Sequence, residues 1–99
     1  MMIDEQQQLE TEVERARQAR EITEHPLWAE AFDAYRKRLM DEWAASPARD
    51  TDGREKLWLM VKTASAVERH LAEILETGKL ASIQLEQKRS LLARAKGMF

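Results

Sequence analysis

The chain has 99 residues and a formal charge of −2, a length that suits one small domain with a modest core and a charge that gives no global attraction to nucleic acid or membrane. It has no cysteine, which excludes disulfides and thiolate metal sites, and no apolar run approaches the ~20 residues of a membrane span. Glycine occurs three times and proline twice in a chain dominated by Ala, Leu, Glu, Arg, Lys and Gln, so the fold class expected is all-α.

In chain order, IDEQQQLETEVERARQAREITE (3–24) is free of Gly and Pro but thinly apolar, with Ile3, Leu9, Val13, Ala16, Ala19 and Ile22. Such a helix is expected to be an arm on another subunit or a partly frayed end, with its first few residues disordered. Residues 1–24 carry about −4 in side-chain charge and residues 79–99 about +4. The two ends are either ordinary solvated faces or attract each other, within one chain or between copies. The opening MMIDEQQQ lacks the basic and apolar regions of a signal peptide, which points to a cytoplasmic setting.

His25-Pro26 breaks the chain, and a second helix is expected from Pro26 to about Ala45, before Ser46-Pro47. Trp28, Phe32, Tyr35, Leu39 and Trp43 fall three or four apart on it. The link SPARDTDG is polar, and its length lets consecutive helices pack antiparallel. The next helix is expected over Asp52–Thr77. Asp52 and Glu55 have capping-box spacing, and Gly78 stands where a left-handed turn commonly ends a helix. Its apolar side is Leu57, Met60, Ala64, Val67, Leu71 and Ile74, with Phe32, Leu39, Met60 and Leu71 expected in the core. A last helix is expected over about Leu80–Ala95, with Leu85, Leu92 and Phe99 seven apart and Leu91 and Met98 in a second line. The expected organisation is therefore an acidic N-terminal helical arm (1–24), an antiparallel helical hairpin (25–78) and a basic C-terminal helix (79–99).

Catalytic constellations are absent. His25 and His70 are too few and too separated for a histidine-based metal site, His70 and Glu73 suit a surface pair, and no cofactor is implied. The three glycines are isolated, so there is no phosphate loop, and Ser46, Ser65, Ser82 and Ser90 lack a nucleophile motif. No catalysis is expected. Lys88, Arg89, Arg94 and Lys96 form a small basic patch able to meet phosphates, although the link between the middle helices is too long for a helix-turn-helix. The feature in excess is large apolar side chains. A two-helix hairpin cannot hide Trp28, Trp43 and Trp58 along with the stripes of both terminal helices, and tryptophan and methionine are enriched at interface centres. Trp28, Trp43, Trp58, Val61, Leu85 and Leu92 are the candidate protein interface, with Trp58 and Val61 beside the main stripe.

The segment HPLWAEAFDAYRKRLMDEW…DTDGREKLWLMVKTASAVERHLAEILETGKLA resembles small, mostly uncharacterised helical proteins encoded by tailed bacteriophages and prophages. The likeness lies in Pro26-Leu27, Trp43, Asp50 to Glu55, and Thr77-Gly78-Lys79-Leu80-Ala81, and it covers about half the chain. It implies a phage setting, in the host cytoplasm or the virion, and carries over no functional residue. The function expected is a non-enzymatic structural or assembly protein acting by helix-mediated oligomerisation, as a homo-oligomer or on a larger phage protein. The alternatives are a DNA-packaging accessory similar to a small terminase subunit, and an acidic inhibitor of a host defence or polymerase protein.

Overall fold

The computed structural model describes residues 4–97, which hold three helices and no strand: α1 (Glu5–Thr23), α2 (Pro26–Ala45) and α3 (Thr51–Gly97). Ile3, Met98 and Phe99, and the disorder expected of the first residues, lie outside the described residues. The chain divides into two compact units. One joins Met1–Glu21 to Ala72–Phe99, and the other is Ile22–Leu71. No described helix is long and apolar enough to cross a membrane.

Local chemistry sets the helix starts. Asp4 caps α1, accepting from the Gln7 amide at 2.7 Å through Oδ1, so one of the first-turn donors that a helix leaves unpaired is satisfied. α2 begins at Pro26 as expected, and His25 adds a cap, its Nδ1 accepting from the Leu27 amide at 3.1 Å. For α3 the expected cap needs correction. Asp50, not Asp52, caps the helix: its Oδ1 accepts from the Gly53 amide at 3.1 Å, while Asp52 lies in the first turn. Gly53 suits that cap, because a Cβ there would come within 2.8 Å of the Asp50 carboxyl carbon.

The expected stop at Gly78 and restart at Leu80 do not occur, and Thr51–Gly97 is one helix of 47 residues. No described glycine has a positive φ, so Gly78 is not a left-handed terminator. Its role is close approach. In the first unit a Cβ at Gly78 would collide with the Ala16 methyl and lie 2.9 Å from the Glu12 carbonyl oxygen of α1. Leu9, Ala16, Ala19, Gly78 and Ala81 are buried there, a seam of mostly small residues that draws two backbones together. The thinly apolar α1 is therefore packed against its own chain. Burial of three side chains on that face is enough contact to hold a helix whose propensity is already good. Among the described residues the opposite end charges meet in an ion pair, Lys88 Nζ to Glu5 Oε2 at 3.4 Å.

In the second unit the buried and half-buried residues include Leu57, Val61, Ala64, Glu68 and Leu71 of α3 and Trp28, Phe32, Tyr35 and Leu39 of α2. Leu39 is its most enclosed side chain, 2% exposed. Met60 and Val67 are not in the core; they stand 42% and 47% exposed. On the same helix Glu68 forms an ion pair with Arg36 of α2, and Val61 is half-buried.

Candidate interaction surface

The region with most unsatisfied apolar surface lies in Ile22–Leu71. Leu39, Met40 and Trp43 of α2 and Leu57, Trp58 and Val61 of α3 line an open hollow of about 240 Å³. Trp58 is 55% exposed and Trp43 39%. The hollow is smaller than the ~300–1,000 Å³ of small-molecule sites, and none of its lining side chains brings a charge or amide to orient a metabolite.

Both indoles carry a cation. The Arg54 guanidinium sits 3.8 Å from the Trp43 ring centroid, and the Lys62 ammonium 5.1 Å from that of Trp58. Arg54 also closes the end of α2. Its Nη1 donates to the carbonyls of Trp43 and Ser46, both at 3.3 Å, and to Ser46 Oγ at 3.1 Å. Ser46 Oγ in turn donates to the Trp43 carbonyl at 2.6 Å. The Ser46 amide also donates to the Trp43 carbonyl, at 3.2 Å, so the arginine adds to a helix end already capped by Ser46 and braces a wall of the hollow. The sequence signal was Arg54 alone, an ordinary first-turn residue; nothing in its spacing announces a partner eleven positions back.

The remaining candidates are dispersed. Trp28 is half-buried and tilted against Phe32, with ring centroids 4.6 Å apart, and Arg36 lies over the other aromatic neighbour at 5.9 Å from the Phe32 centroid. Val61 is half-buried within the hollow rather than on an outer flank. Leu85 is half-buried in the unit that contains α1, while Leu92 is exposed. Of the basic residues, Lys88 meets Glu5 and Arg89 Nη1 lies 3.5 Å from Glu86, whereas Arg94 and Lys96 are exposed in the last turn of α3. His70 and Glu73 are both exposed, and no group of three His, Asp or Glu able to hold a metal occurs among the described residues.

The outer surface of α1 is held by charge. Arg17 forms ion pairs with Glu14, at 2.7 Å, and with Glu21. Its hydrogen bond holds the Glu14 carboxyl below its ordinary range, and the same contacts raise the arginine. On α2, a hydrogen bond and the charge of Asp41 raise Lys37. No protein-family model, curated protein or solved structure matches the chain.

Proposed function

We propose that this chain is a non-enzymatic assembly protein that works by docking helical surfaces on other chains, its own copies included. Within it, α2 and the first half of α3 act as an antiparallel helical hairpin that presents the docking surface. The observation that carries this reading is the hollow between Trp43 and Trp58, an apolar recess with the size for a protein side chain and rimmed by tryptophan. The phage setting implied by the resemblance makes it a virion or assembly component. The DNA-packaging alternative has less support, because two of its four basic residues, Lys88 and Arg89, already face the carboxylates of Glu5 and Glu86.

The test is sedimentation of the full chain across the micromolar to millimolar range, with Trp43→Ala and Trp58→Ala beside it. Wild type should grow in mass with concentration, and each substitution should weaken that growth about tenfold or more, since truncating an interface tryptophan commonly costs over ~1–2 kcal/mol. A protein that stays monomeric throughout, and retains no phage protein on a column, would refute the proposal.

A further inference from the structure

Resting on that reading, we infer that the occupant of the Trp58 surface is a second copy of this chain, paired antiparallel along α3 about a two-fold axis between Trp58 and Leu59.

The inference starts from an imbalance in how unit Ile22–Leu71 uses its charges. Most of those on α2 are paired within the unit, Glu30 being the exception: Arg36 meets Asp33 and Glu68, Lys37 meets Asp41 at 2.8 Å, and Arg38 meets Glu42 at 3.5 Å. The charges flanking Trp58 and Leu59 on α3 are different. Glu55 is exposed and takes part in none of the ion pairs among the described residues, and Lys62 rests against the Trp58 ring. Glu55 and Lys62 are seven apart, two helical turns, and so share a face with Trp58 and Leu59 between them. Those two apolar residues are 55% and 50% exposed.

That arrangement is self-complementary in one geometry. A two-fold contact sets the same patch on itself, so each residue faces the one an equal number of positions across the axis. With the axis between positions 58 and 59, Trp58 meets Leu59 of the second copy, and Glu55 meets its Lys62. Both contacts occur twice. In a parallel pairing in register, Glu55 faces Glu55 and Lys62 faces Lys62, and like charges oppose it. The apolar centre is two tryptophans and two leucines, a small interface at the weak, concentration-dependent end of the range. Its occupant is a chain surface rather than a metabolite, consistent with the dimensions of the adjoining hollow.

The experiment is sedimentation equilibrium of the full chain at low salt, comparing wild type, Glu55→Lys, Lys62→Glu and the double reversal. Both positions are exposed, so circular dichroism should show each variant as helical as wild type. Each single reversal turns two attractions into two repulsions and should weaken dimerisation about tenfold, an effect that shrinks at high salt. The double reversal restores opposite charges across the axis and should recover dimerisation close to wild type. Singles that leave dimerisation unchanged, or a double no better than the singles, would overturn the inference while self-association itself still stands. Growth past a dimer without a plateau would overturn the two-fold arrangement. A monomeric wild type that retains a phage protein would remove this inference alone, and one that retains none removes the function proposed above as well.

Discussion

Replacing Gly78 by alanine sets two known effects against each other. Alanine is the better helix former by about 1 kcal/mol, and Gly78 is interior to a 47-residue helix with ordinary helical backbone, so propensity alone predicts stabilisation. Packing predicts the reverse. The new methyl would collide with the Ala16 methyl and stand 2.9 Å from the Glu12 carbonyl oxygen, a main-chain atom of α1 that no rotamer change can move. Overpacking of this kind costs about 1–3 kcal/mol, and here relief requires α1 as a whole to back away, unseating Leu9 and Ala19 as well. The expected balance is a loss of about 1–2 kcal/mol, with a Tm lowered by about 4–8 °C for each kcal/mol in a chain of this size. Two probes separate the units. All three tryptophans belong to Ile22–Leu71, so fluorescence follows that unit, while far-UV circular dichroism also reports the unit containing α1. The helical signal of Gly78→Ala should be lost at lower temperature than in wild type. Adding Ala16→Gly removes the nearer collision and should recover part of the loss. Gly97→Ala, at the end of α3 where a Cβ meets nothing within 4 Å, serves as the control for replacing a glycine without a collision. A Gly78→Ala protein that melts at or above wild type would show that α1 does not press on Gly78, and the role assigned to the seam would fall.

Two further outcomes are expected. Arg54→Lys keeps the charge but cannot hold three acceptors and the Trp43 ring at once; it should cost about 1–3 kcal/mol, seen as an earlier tryptophan-fluorescence transition in denaturant. Unfolding midpoints equal to wild type would sink the bracing role of Arg54. Acidification should loosen α1: Glu14 has a lowered folded-state pKa, so its contribution is present above the unfolded carboxylate pKa and disappears as pH falls through the folded value. The pair is fully exposed, so the effect is a small loss of helicity at acid pH, absent in Glu14→Gln; an identical acid profile in that variant would count against the pair.

Much of the helical content was legible because helix propensity and proline are local. Pro26 and the Ser46-Pro47 pair mark the bounds of α2 from chemistry contained in the residues themselves. The candidate surface was legible in part: an excess of tryptophan pointed to Trp43 and Trp58, but Arg54, which ties one of them to a helix end, was not visible. Spacing also misplaced the inward face of α3 by one ridge. Met60 and Val61, like Val67 and Glu68, are neighbours at the edge of one apolar arc, and periodicity ranks the more apolar set first. Which set turns inward depends on the residues of α2 that arrive opposite, among them Arg36, which pairs with Glu68.

By itself the sequence determined that this is a cysteine-free, all-helical chain whose polar link and His-Pro junction separate its helices, because propensities, caps and proline act over a few residues. Only the tertiary structure decided what Gly78 is for. A glycine after an apolar run serves equally as a terminator or as a place where another backbone comes close, and the two differ in nothing local. The approach of α1 through Ala16 and Glu12 settles it, in an α3 that runs unbroken from Thr51 to Gly97.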